Sequence, residues 1–241
     1  MHTHTVVVGP GRVGTTVAAR LSGATLCGRD LDADFTACEL LLLATPDAAI
    51  EPVCELLAPR IPAGCPVVHF SGATSVRALA AATGPIACVH PLQTVWKEFG
   101  PDQLEGAYAA VTGDPTIAEP LARELGMTPF ALADGAKPIY HSASAFASNY
   151  LVTLSHVAAG LLERAGIDHD LAVLALRPLQ HRTIEVSERA PTGPIARGDA
   201  ATIAAHLAAV GVELDGLYRA LGRATLPLVG EEQAAQVAGL L

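Results

Sequence analysis

The sequence predicts an α/β fold, a doubly wound and mainly parallel Rossmann sheet followed by an all-helical C-terminal domain, and three observations predict it. Seven short apolar runs between residues 5 and 132 alternate with Ala-rich stretches, a glycine-rich turn follows the first run, and no strand-like run recurs after residue 135. Runs that are apolar on both faces suit buried parallel strands joined by helices.

In order, strands are read in TVVVG, GATLCGR, ELLLLATP, PVVHFSG, IACVHP, AYAAVTG and TPFALAD. Residues 12–22, 47–59, 74–82 and 115–126 fit the helices between them. From ALADGAKPIYHS onward Ala/Leu periodicity takes over, with Asp134 fitting as the cap of a long helix entered through Lys137 and Pro138, and Gly166 as its end. Further helices are expected over 168–188, 200–210, 213–228 and 231–240, interrupted by the irregular loop RAPTGPIARGDA.

Composition narrows the function classes. The chain has 241 residues, 51% of them apolar, and a formal charge of −9 with fifteen scattered Lys and Arg. No basic run interleaved with aromatics is present to track a phosphate backbone, so nucleic acid is not an expected partner. The N-terminus lacks a basic and then apolar leader, and polar residues or proline interrupt the apolar stretches before a membrane-spanning length. A cytoplasmic protein without a membrane span is expected. The five cysteines form no CxxC pair and read as reduced core residues rather than a metal or disulfide framework.

Gly9, Gly11 and Gly14 stand in GxGxxG spacing directly after the first strand and at the opening of the first helix. The first permits a tight turn, the second lets the backbone approach a diphosphate, and the third allows close helix-to-strand packing, while Arg12 and Val13 lie inside the same turn. This predicts a dinucleotide-binding domain over 1–135 and a helical substrate and dimerisation domain over 136–241. The second strand ends in Gly28, Arg29 and Asp30. A guanidinium at Arg29, with Arg12 as a second charge, suits the 2′-phosphate of NADP. Pairing of Arg29 with Asp30 or Asp32, and Asp30 as a ribose ligand for NAD, are the alternatives.

Strand ends in this fold face the cofactor crevice. Thr45 and Pro46, and Ser71 and Gly72, follow two strands and are expected along the ribose and nicotinamide, with Ser71 or Ser75 donating hydrogen bonds. His90 lies where an imidazole reaches substrate, or else is a strand-end histidine bonded to backbone. On the long helix, Lys137, His141, Ser144, Ser148 and Ser155 project within an arc of about 60°, with Asn149 on its edge. That stripe lines a cleft, or else consists of a capping lysine and serines bonded to carbonyls four residues back. Asp199 is a natural N-cap, whereas Arg197 suits a substrate carboxylate, a cofactor phosphate or the open surface.

Together the glycine turn, LLLLATPD, VVHFSGATS, VHPLQTV, KPIYHSASAFASNYLVTL and TGPIARGD resemble a bacterial family of Rossmann-like proteins with a C-terminal helical domain of unknown function. The layout is similar to the 6-phosphogluconate dehydrogenase-like superfamily. In its β-hydroxyacid dehydrogenases a Lys and an Asn one turn apart hold substrate. Lys137 and Asn149 are a loose version, twelve residues apart, and His141 stands one turn after the lysine. Ser71 and His90 resemble the Ser and His-Pro elements of prephenate dehydrogenases, but Leu92 and Gln93 replace the Ala-Gly that follows there.

The resulting expectation is an NADP-dependent oxidoreductase acting on a carbonyl or imine carbon of a small metabolite. Lys137 would steady a developing alkoxide, His90 or His141 would act as general acid/base and Asn149 would orient substrate. A cofactor-binding sensor without turnover and a deazaflavin-linked NADP oxidoreductase are the rivals. The apolar C-terminal helices predict a homodimer.

Overall fold

The computed structural model of the chain describes residues 4–189 and 191–241. It divides into two compact units, Met1–Tyr150 and Leu151–Leu241.

The first unit holds one seven-stranded sheet: β1 (Thr5–Val8), β2 (Thr25–Cys27), β3 (Leu40–Leu43), β4 (Val67–His69), β5 (Ile86–Pro91), β6 (Tyr108–Gly113) and β7 (Thr128–Ala131), in the order β2-β1-β3-β4-β5-β6-β7. All neighbours are parallel except β5 and β6, which run antiparallel with His90 opposite Ala110. Each predicted strand is present.

Side chains alternate between the two faces of the sheet, as the twofold period of a strand requires. Val7, Leu42 and Val68 pack on one side with Val17 of α1 (Arg12–Arg20) and Leu121 of α3 (Pro115–Glu124). Val6, Val8, Leu41 and Leu43 pack on the other with Ile50, Cys54 and Leu57 of α2 (Ile50–Leu57). The five cysteines are free and buried.

The stretch 74–82 departs from the expected helix and forms only a 3₁₀ turn over Val76–Leu79. The carbonyl of Thr74, which a helix would offer to its own backbone, accepts from Lys137 Nζ at 2.7 Å, and Ala78 N bonds back three residues to Ser75 O. Nor does Asp134 cap the helix that follows it. Its carboxylate accepts from Ser75 Oγ and Val76 N and so caps this 3₁₀ turn.

The long helix predicted from residue 137 is two helices, α4 (Lys137–Ala147) and α5 (Asn149–Arg164), separated at Ser148 with φ −124° and ψ −71°. The first compact unit runs to Tyr150 and so includes α4, where the domain boundary was expected near residue 135. The hydrogen bonds of Lys137 tie the start of α4 to this unit. Residues 134–164 are long and apolar enough, by length and composition, to cross a membrane, but α4 belongs to the sheet unit.

The second unit contains the rest of α5, then α6 (His169–Glu185), α7 (Ala200–Val210), α8 (Val212–Thr225) and α9 (Glu231–Val237). Gly166 follows α5 with φ +89°, a conformation that suits a residue without Cβ. Asp199 caps α7 through Thr202 N, as its sequence context predicts. The core here is small: Ile203, Val237 and Leu241, with Leu207, Tyr218 and Leu226 against them. Leu171, Leu174, Leu179 and Ile184 of α6 are exposed.

Candidate functional site

The glycine turn is built for close approach. Gly9 has φ +110°, and a Cβ there would lie 2.6 Å from Ala44 O; on Gly14 it would lie 1.9 Å from Gly9 O. Gly11 differs, since a Cβ there meets no atom within 4 Å. The helix N-terminus that follows has no side-chain cap, which leaves its first N–H groups without a capping side-chain acceptor. Nearby, the hydroxyl of Thr45 is buried without a hydrogen-bond partner. An open helix N-terminus and an orphaned hydroxyl fit a dinucleotide diphosphate and its ribose. Arg29 is exposed, and no ion pair to Asp30 or Asp32 forms among the described residues. Pro46 is exposed at the end of β3.

Beside the turn, within the first unit, opens a cavity of about 500 Å³. Arg12, Val13 and Phe70 line its glycine-turn end; His90, Thr94, His141, Ser144, Ser148 and Asn149 line the rest. The guanidinium of Arg12 lies 5.1 Å over the ring of Trp96, at this cavity.

His90 is the best-defined group of the site. Its Nδ1 lies 2.7 Å from the hydroxyl of Tyr140, and its ring meets that of His141 edge-on with centroids 6.1 Å apart. Nε2 has no partner among the described residues and, unlike His69 Nε2, is not sealed from solvent. A Cβ on Gly72 would fall 2.7 Å from that Nε2 and 2.9 Å from His141 Cδ2, so only glycine leaves room for both rings. Burial above all, then the charges of His141 and Lys137, lower His90 to about 4. Burial also raises Tyr140 to about 12. Near neutral pH the pair is therefore a neutral imidazole and a protonated phenol.

Lys137 does not serve as the expected substrate-facing cation. It is fully buried, and its three protons go to Ser71 O at 3.0 Å, Thr74 O at 2.7 Å and Cys88 Sγ at 3.0 Å. A compact ammonium with three donors matches three acceptors converging from different directions. Ser71 is spent too: its Oγ accepts from Ala73 N and Thr74 N and donates to Thr74 Oγ1. Ser75 Oγ bonds Asp134. His69 Nδ1 accepts from Ser71 N, and burial, reinforced by the charge of Lys137, lowers this imidazole to about 3. The SGATS turn is thus a rigid shelf under His90, and Gly72 is its one bare point.

The helical stripe proves mixed. His141 and Ser148 face the cavity, and Thr94 Oγ1 lies 3.2 Å from Ser148 Oγ. Ser144 lines it while bonding Tyr140 O four residues back, and Ser155 bonds Leu151 O in the same way. Sequence reasoning missed Tyr140, Thr94 and Trp96. Tyr140 carried a signal, because a half-buried tyrosine hydroxyl needs a partner.

Residues 107–225 match a family described as Domain of unknown function (DUF2520). No curated protein matches the chain. Among solved structures it resembles a candidate NADP oxidoreductase of Bacteroides fragilis, with TM-score 0.75 and 18% identity over 92% of this chain and 97% of that one. A protein of Thermotoga maritima gives TM-score 0.75 and 19% identity over 95% and 99%. Pyrroline carboxylate reductase of Plasmodium falciparum, solved with NADP bound, gives TM-score 0.61 and 10% identity over 97% and 98%. Sheet order, glycine turn and these matches converge on one fold: the chain has the Rossmann-like fold found among NADP oxidoreductases, and its residues 107–225 are similar to the DUF2520 domain.

Proposed function

We propose that the chain is an NADP-dependent oxidoreductase acting on a carbonyl or imine carbon of a small metabolite. The observation that carries this reading is a juxtaposition. The uncapped N-terminus of α1, with open space at Gly11, borders through Arg12 and Val13 a cavity that two imidazoles also line. Bound there, the nicotinamide supplies or accepts the hydride. The chain itself supplies position and proton management: Phe70 and Val13 give an apolar wall, and His90 and His141 reach the reacting atoms. Ser144, Ser148 and Asn149 offer polar contacts to the rest of the substrate. The solved relative with NADP bound supports the cofactor, as does the exposed Arg29 at the end of β2.

A homodimer belongs to the same proposal. The exposed leucines of α6 and the exposed Leu151 and Val152 of α5 make an apolar surface of the kind a second copy covers.

Trp96 is the chain's single tryptophan and stands under Arg12, so its fluorescence reports on this region. Titration with NADPH should quench it, with affinity for NADH weaker by about tenfold and that preference lost in Arg29→Ala. Failure of calorimetry to detect either nucleotide would sink the proposal.

A further inference from the structure

Resting on that reading, we propose that the substrate is a carbonyl compound rather than a cationic imine. In this assignment His90 donates Nε2–H to the substrate oxygen, Tyr140 is the positioning residue that holds His90 in this tautomer, and His141 passes the proton.

The argument begins with the 2.7 Å contact between His90 Nδ1 and the Tyr140 hydroxyl. A phenol is the stronger donor of the two groups, and an imidazole nitrogen the stronger acceptor. The favoured arrangement therefore has Tyr140 donating to Nδ1, which leaves the single ring proton on Nε2. Nε2 has no partner among the described residues, is not sealed from solvent, and belongs to a ring that lines the cavity, with Gly72 close beside it.

A group fixed as a donor demands a lone pair on its ligand. A carbonyl oxygen has one, and the interaction strengthens as negative charge grows on it. A protonated imine has an N–H in that place, so donor would face donor. Charge points the same way. No Asp or Glu lines the cavity, whereas Arg12 does, and the buried ammonium of Lys137 raises the positive potential at His90. Asp47 is the acid whose field reaches His90, and it acts less strongly there than His141 or Lys137. Asp134 is committed to Ser75 and Val76.

The two histidines then divide the work. His90 is buried and electrically neutral, a polarising donor comparable in logic to other imidazoles held neutral by their surroundings. His141 is exposed and open to water. In the reduction, a C–H bond forms at the carbonyl carbon as the hydride of the reduced nicotinamide arrives. The π pair moves to the oxygen, and that oxygen takes a proton from His141, which is restored from solvent. The carbonyl becomes an alcohol and the nicotinamide is oxidised.

Nitrogen NMR of protein labelled in histidine, with His90 assigned from the signal lost in His90→Gln, reads the tautomer directly and needs no substrate. The expected result is a protonated Nε2 and a bare Nδ1 from about pH 6 to about pH 9, with a mixture of tautomers in Tyr140→Phe. With NADPH, aldehydes or ketones should turn over and cyclic imines should not. Tyr140→Phe should lower kcat by about tenfold with little change in KM. A proton on Nδ1 in the wild type, an unchanged tautomer in Tyr140→Phe, or turnover of imines alone overturns this proposal while NADPH binding stands. Absence of NADPH binding overturns the oxidoreductase reading itself, and the substrate assignment with it.

Discussion

The two units are both rich in Ala, Leu and Val, yet they use those residues in opposite ways. In the sheet unit β1, β3 and β4 are buried along their whole length, and a layer of apolar side chains fills each side of the sheet. In the helical unit the core reduces to Ile203, Val237 and Leu241 with a few neighbours, while Leu171, Leu179 and Ile184 are 58%, 64% and 55% exposed. The difference teaches that apolar composition states how much can be buried, not how much one copy of the chain buries. It also separates tolerance from constraint. The sheet unit holds a buried, fully bonded ammonium at Lys137, and the helical unit holds large apolar side chains that are more than half exposed.

Three measurements break or sharpen that contrast, in falling order of effect. Lys137→Met removes the donor to one buried and one part-buried carbonyl and should cost about 2–5 kcal/mol in chemical denaturation. A loss below about 1 kcal/mol would mean that the shelf under His90 does not depend on this ammonium. Acid should act next, and on the sheet unit. His90 and His69, lowered to about 4 and about 3 in the fold, titrate near 6.5 when unfolded. The unfolded chain therefore binds more protons over that interval. Stability is complete above pH 6.5 and falls as pH drops through 6.5 towards these folded values, by on the order of a few kcal/mol in total. A denaturation midpoint that stays level between about pH 7 and about pH 4 would contradict it. Smallest in stability is Leu174→Ser with Leu179→Ser, expected to change the stability of one copy by about 0.5 kcal/mol or less. Light scattering should show the same variant shifted from a dimer of 24.7 kDa chains towards single copies. If wild type and variant scatter alike as single chains, the exposed leucines need another explanation.

Much of the fold was legible in the sequence because its signals are local. All seven strands are short runs apolar on both faces, and the glycine turn announces itself by spacing. The failures come from partners distant in sequence. Residues 74–82 read as a helix because Ala and Leu dominate, but Lys137, far along the chain, takes the carbonyl that the helix needs. The break at Ser148 contains neither Gly nor Pro, and its neighbour is Thr94 from the β5–β6 connection. Within the site, His90 and His141 were readable as polar exceptions at a strand end and on an apolar helix. Lys137 was readable by the same rule and misled, since a lone cation on an apolar helix signals engagement without saying with what. Tyr140 was passed over because a tyrosine among apolar residues reads as core, and only the fold brings His90 beside it.

Lys137 carries one more consequence. The chain uses thirteen arginines but two lysines, Lys97 and Lys137. Lys97 is exposed near the cavity loop, and Lys137 is sealed beneath the SGATS turn. An amine-directed reagent therefore meets one lysine side chain in the folded protein and a second only when the turn opens. Stoichiometric tagging at Lys97 provides a built-in attachment point, and the slow appearance of label on Lys137 becomes a clock for the opening of the shelf on which His90 rests.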